Sequence, residues 1–159
     1  MNWNTKHTVQ SESILKRKCL YCISLQHGER LLNVIREIYD LADEAKIHSG
    51  QPQGQPQGSP LPYTAWPLSD EQQALDQEIV DTLFTAITRS QERHADVISS
   101  WLTFRQLQRC ANLLWDYWMV CTFPDEVRQQ DTEIYKALVN CMMSLEYEDS
   151  HREDGGQNG

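Results

Sequence analysis

Residues 49–60 read Ser-Gly-Gln-Pro-Gln-Gly-Gln-Pro-Gln-Gly-Ser-Pro, with the unit Gln-Pro-Gln-Gly twice in tandem. Proline removes a backbone donor and fixes φ, glycine adds chain entropy, and nothing in the stretch is apolar enough to bury. No core element can run through it, so every folded element has to be built before it or after it. The stretch is expected to be a flexible linker, its prolines too sparse for a polyproline ligand face. The next residues, Leu61 to Leu68, contain Pro62 and Pro67 but also Tyr63 and Trp66. They are expected to lie on the folded body as an extended strap. This divides the chain into an N-terminal helical segment (1–48), a linker and strap (49–68), a helical core (69–146) and an acidic tail (147–159).

Before the linker, Leu31, Ile35, Ile38, Ala42 and Ala45 recur at the three- and four-residue steps of one helix face. Ser11 suits an N-cap, and Gly28 weakens or divides the run, which predicts helices near 12–26 and 29–47. After the linker, Ser69 with Gln72 three residues on matches a capping box, and Asp70 and Glu71 occupy the turn where a helix dipole favours acid. That helix should run to about Ser90 and bury Leu75, Ile79, Leu83 and either Ala86 or Ile87. A second is expected from about Glu92 to Cys121, with Val97, Trp101, Phe104, Ala111, Trp115 and Trp118 on one side and Arg105, Arg109, Asn112 and Asp116 on the other. Phe123-Pro124 ends it, because proline disfavours the α conformation in the residue before it. A last helix then carries Val127, Ile134, Leu138, Cys141 or Met142, and Leu145. From Glu146 onward no apolar period remains, so the tail is expected to be disordered. No run alternates at period two for long enough to predict a strand. The fold class is therefore read as all-α, a four- to five-helix bundle.

The charge is uneven. Of the net −9, residues 1–60 contribute about +1 and residues 61–159 about −10. Such a surface repels phosphate backbones, which argues against direct nucleic-acid binding and for a protein partner of basic character. Five cysteines, an odd number, lie in apolar runs rather than in the loops of a disulfide scaffold, which points to reduced thiols and a cytoplasmic or nuclear setting. The apolar run Leu113 to Cys121 is about half the length of a spanning helix, and Cys19 to Leu25 is too brief for a signal segment, so no membrane association is expected.

Candidate sites are few. Cys19-Leu20-Tyr21-Cys22, followed by His27, has the spacing of half a zinc site, but no second pair completes a tetrahedron. On a helix, positions 19 and 22 also share a face as packed small hydrophobes. Glu37, Asp40 and Glu44 with His48 lack the Glu-x-x-His pairs of a helical di-iron site and read as a solvated face. Asp116 sits between Trp115 and Tyr117, yet Arg105, Arg109 and Asn112 share its stripe and give it polar neighbours. No phosphate loop, nucleophile elbow or catalytic constellation appears, so no catalytic residue, metal ligand or cofactor is assigned. Five tryptophans remain, and a small bundle has difficulty hiding Trp101, Trp115, Trp118 and the strap residue Trp66 together with Leu113, Leu114 and Met119. The expectation is a non-enzymatic interaction protein, an adaptor, assembly factor or inhibitor. It would dock another protein or a second copy of itself through Trp101, Trp115, Tyr117 and Trp118. The alternatives are an acidic decoy that occupies a nucleic-acid-binding protein and a small zinc-stabilised module.

Overall fold

The computed structural model describes residues 12–49, 69–121 and 123–157. The expected linker and strap from residue 50 to residue 68, and the proposed cap at Ser11, lie outside the described residues. Those residues form, in chain order, α1 (Glu12–Leu15), β1 (Lys18–Ser24), α2 (Leu25–Ser49), α3 (Asp70–Glu92), β2 (Val97–Thr103), α4 (Phe104–Val120) and α5 (Asp125–Gln157). The protein is mostly helical, as its sequence predicts, but it also contains a two-stranded antiparallel ribbon.

The ribbon replaces helix at two places. Lys18–Ser24 pairs with Val97–Thr103, in a register that sets Leu20 opposite Trp101, Cys22 opposite Ser99 and Ile23 opposite Ile98. Tyr21, Ile23, Ile98 and Leu102 point into the core, whereas Lys18, Leu20, Cys22, Val97, Ser99 and Trp101 point out. The segments do alternate in burial. They do not alternate in polarity, because Leu20, Val97 and Trp101 put apolar groups on the outward side as well, and period-two patterning detects only a strand whose outer face is polar. The helix expected from Glu92 to Cys121 is correspondingly two elements with a strand before the second.

Local chemistry bounds α3 and opens α4. Ser69 caps α3 with both bonds of a capping box: its hydroxyl accepts from the Gln72 N–H, and the Gln72 side chain accepts from the Ser69 N–H. Thr103 and Gln106 repeat the same box at the start of α4. At the C-terminus of α3 the Ala95 N–H bonds to the Ser90 carbonyl and the His94 N–H to that of Gln91, the two bonds of a Schellman ending. His94 holds its left-handed position at φ 53°. The Ser90 hydroxyl lies 2.9 Å from the Ala95 carbonyl and 3.0 Å from that of Val97, which ties the end of α3 to the first residue of β2.

Gly28 does not break α2. A Cβ at this position would stand 2.4 Å from Ile98 Cδ1, so the missing side chain lets the helix lie close against β2. Leu31, Leu32, Val34, Ile35, Ile38 and Ala42 then face inward, while the side chains of Ala45 and His48 are outside the description. From α3 come Ile79, Leu83 and both Ala86 and Ile87; from α4, Phe104, Leu107, Cys110, Leu113, Leu114 and Tyr117; from α5, Ile134, Leu138, Met142 and Leu145. Together with Tyr21 and Ile23 of β1 they make one hydrophobic cluster, so residues 12–49 and 69–157 share a core.

The acidic end of the chain differs from the expected disordered tail, for α5 continues as one helix to Gln157. Two interactions account for part of this extension. Arg17, in the turn before β1, reaches Glu148 and Asp149, each at 3.5 Å. The rings of Tyr147 and His151, one helical turn apart, stack with centroids 3.8 Å apart. Carboxylates that lack an apolar period gain partners from another element here, which a count of apolar residues cannot register.

Candidate interaction surface

The outward side of the ribbon is the least ordinary surface among the described residues. Trp101 is 61% exposed, its cross-strand neighbour Leu20 is 44% exposed and Val97 is 54% exposed. A cross-strand aromatic and aliphatic pair normally stabilises a sheet by covering itself against a second layer. Here no described element supplies that layer. Cys22 and Ser99, also exposed, sit between Leu20–Trp101 and Ser24–Val97, with the Cys22 Sγ 3.6 Å from the Ser99 Oγ. Exposed Lys16, Lys18 and Arg105 lie at the Lys18–Thr103 end of the face, and exposed Asp96 and Glu92 beside Arg93 at the Ser24–Val97 end.

The other aromatics expected at an interface are placed differently. Trp101 does not share an element with them, because it belongs to β2 and they belong to α4. Tyr117 is only 1% exposed, and its ring lies 5.0 Å from that of Phe123. It is a core residue and supplies no outward contact. Trp115 and Trp118 are half-buried and mesh with Tyr135 of α5 at ring separations of 6.1 and 5.5 Å, filling the seam between α4 and α5.

That seam is fastened by a buried ionic group. The Asp131 carboxylate, fully buried, accepts from Arg30 Nε at 2.9 Å, from Arg30 Nη2 at 3.0 Å and from the Trp118 indole N–H at 3.2 Å. The Arg30 guanidinium carbon also lies 5.8 Å from the Tyr117 ring centre and 5.2 Å from that of Phe123, at distances where a cation and an aromatic face attract. A second group of the same design joins α2, α3 and α4. Asp76 accepts from Arg109 Nε at 2.7 Å and Nη2 at 2.9 Å, and the Tyr39 hydroxyl donates to it as well. Sequence reading missed both groups, since their members are 33 or more residues apart for every arginine–aspartate pair. It placed Arg109 on the stripe of Asp116; the structure gives Arg109 to Asp76 and leaves Asp116 half-buried with an interaction of its own.

The cysteine motif also changes meaning. In a strand, residues three apart point to opposite sides, so Cys19 turns inward toward Cys141 of α5 while Cys22 turns out. The two thiols do not converge as they would on one helical turn. His27 lies 3.5 Å from Glu133, and among the described residues no three His, Cys, Asp or Glu side chains gather as a metal set. Glu37, Asp40 and Glu44 are exposed along α2. No described helix is long and apolar enough to cross a membrane. No protein-family model, curated protein or solved structure matches the chain.

Proposed function

We propose that this protein is a non-catalytic interaction module that docks another protein through the outer face of the β1–β2 ribbon, with Trp101 as its anchor. The observation that carries the reading is the exposure of Trp101 beside Leu20 and Val97 on one face of the ribbon. Single exposed apolar residues are ordinary; three on one rigid face, one of them tryptophan, form the kind of patch that soluble proteins use for contact. Tryptophan is also the residue most often found at the energetic centre of an interface. The ribbon is backed by the hydrophobic core, so the contact groups are held in place before binding and little ordering is lost on docking. Lys16, Lys18 and Arg105 on the rim would favour a partner surface with carboxylates at that end.

The test is site-specific photocrosslinking, with a benzoyl-phenylalanine placed at Ser99 inside the face and, as control, at exposed Arg36 on α2. Adducts should form from position 99, be sparse from position 36, and fall at least thirtyfold when Trp101→Ala is added. Equal labelling from the two positions, or labelling indifferent to Trp101, would remove the support for this surface.

A further inference from the structure

We propose that Cys19 and Cys141 are a redox-reversible thiol pair, which a low-molecular-weight disulfide such as oxidised glutathione converts to an internal disulfide that staples β1 to α5. Cys19 lies on the inward side of β1, away from the face that carries Trp101, so the pair works whatever that face binds. The fold sets the two residues together. Arg17, just before β1, reaches Glu148 and Asp149, whereas His27, just after it, lies beside Glu133. α5 therefore runs antiparallel along the strand. The lengths agree, for β1 spans about 23 Å at the rise of a strand and Glu133 to Glu148 span about 22 Å at the rise of a helix. Cys141 stands about halfway between those two glutamates, at the level of the inward residues Cys19 and Tyr21. On α5 it follows Leu138 and precedes Leu145 on the buried side, and on β1 Cys19 has the parity of buried Tyr21 and Ile23. The two thiols come to lie side by side, and Tyr21 has Cys141 among its neighbours.

Both are free thiols, half-buried at the margin of the core, in contrast to the fully buried Cys110. A pair that reaches the surface can meet a small oxidant. Adjacent sulfurs then favour one internal disulfide over two mixed ones, because the second exchange is intramolecular. Burial beside Cys19 keeps the proton on Cys141 at neutral pH, so the first exchange falls to Cys19. Its thiolate attacks one sulfur of the oxidant, the S–S bond breaks, and one glutathione leaves as thiolate and takes up the proton that Cys19 released. Cys141 then gives up its proton as its sulfur attacks the Cys19 sulfur of the mixed disulfide and expels the second glutathione. Two electrons and two protons pass from the protein's thiols to the oxidant, and excess reduced glutathione runs the exchange backward.

The staple closes a loop that contains α2, α3, β2 and α4, and a long closed loop restricts the unfolded chain most. By linkage, whatever factor the disulfide adds to folding, folding adds to closure of the disulfide. That factor should be at least about thirtyfold, and the urea midpoint should rise by about 1–2 M on oxidation.

For the test, full-length protein carrying Cys22→Ser, a change at an exposed position, is equilibrated with reduced and oxidised glutathione, alkylated with iodoacetamide, then unfolded and digested. Mass spectrometry should find the tryptic peptide that begins at Cys19 joined to the one that begins at Ala137, with Cys110 and Cys121 alkylated. Dithiothreitol should separate the two, and Cys141→Ser should leave a mixed disulfide on Cys19 instead. The closure constant measured in the same way in urea should be at least about thirtyfold smaller. Alkylation of both Cys19 and Cys141 at glutathione ratios that oxidise the unfolded chain would overturn the proposal. So would glutathione retained on Cys19 with Cys141 alkylated, a link from either residue to Cys110 or Cys121, or a closure constant no larger in the folded protein than in urea.

Discussion

Replacing Asp76 with alanine removes the carboxylate that Arg109 grips through two nitrogens at 2.7 and 2.9 Å and to which the Tyr39 hydroxyl donates. Asp76 is almost wholly buried, and the Arg109 side chain is 10% exposed. The guanidinium thus has little water to turn to once its partner is gone. Leaving one member of a buried pair uncompensated typically costs about 3–5 kcal/mol. Against a total stability of about 5–15 kcal/mol, that is at least about a fifth of what holds the domain together. Urea titration followed by the helical circular-dichroism signal should show the midpoint falling by roughly 1.5–2.5 M, taking a slope of about 2 kcal/mol per molar for a domain of this size. The decisive comparison is the double variant Asp76→Leu with Arg109→Met. It removes the desolvation of both charges together with their attraction, and buried pairs often break even against well-packed apolar residues. It should lie within about 2 kcal/mol of the wild type, most of the residue arising from the Tyr39 hydroxyl that loses its acceptor. If Asp76→Ala costs less than about 1 kcal/mol, or the double variant is as unstable as the single, the pair is not a buried network of the kind described.

Three smaller predictions concern other parts of the fold. His94 occupies a left-handed position at the end of α3, so His94→Gly should stabilise the protein by about 0.5–1 kcal/mol in the same titration, whereas a loss would mean that the imidazole has a use at that site. The Tyr21 hydroxyl is buried without a hydrogen-bond partner among the described residues; Tyr21→Phe should therefore be neutral or stabilising by up to about 1 kcal/mol, and a loss of more than that would reveal a partner for it. Burial pushes the Cys110 thiol from 9.0 up to about 12, and burial beside the Cys19 thiol does the same to Cys141. The folded state keeps these protons in a range where the unfolded chain releases them, so stability should be full below about pH 9 and fall as pH rises toward 12. Cys110→Ala should make that alkaline decline shallower without abolishing it, because burial raises Tyr21, Tyr39 and Tyr117 in the same direction. An unchanged slope would contradict the assignment.

The helices were legible where one residue pattern carried the whole signal. Ser69 with Gln72 located the start of α3, and Leu31, Ile35 and Ile38 marked the buried face of α2, because a cap and a stripe are local and independent of the rest of the chain. The ribbon was not legible, for the reason that makes it interesting: Leu20, Val97 and Trp101 are apolar on the side that should have been polar. One local clue did exist. Thr103 and Gln106 form a second capping box in the middle of the supposed Glu92–Cys121 helix, and a cap there signals that a new helix begins. The ionic groups at Asp76 and Asp131 depend on pairings between distant segments, which only the fold brings together. Tyr117 was assigned outward by its neighbours Trp115 and Trp118, yet adjacent residues on a helix diverge by about 100°, and that difference turns it into the core.

Which tryptophan serves contact and which serves packing can be measured directly. Trp101→Ala and Trp118→Ala should be compared for stability by urea titration and for partner contact by photocrosslinking from position 99. Trp101→Ala is predicted to leave the stability within about 0.5 kcal/mol of the wild type, as for an exposed surface site, while adducts from position 99 fall at least thirtyfold. Trp118→Ala, which empties the α4–α5 seam and takes a donor from Asp131, is predicted to cost about 3–5 kcal/mol of stability. The reverse result, with Trp101→Ala destabilising the fold and Trp118→Ala abolishing association in a protein that remains folded, would contradict the assignment of the ribbon as the contact surface.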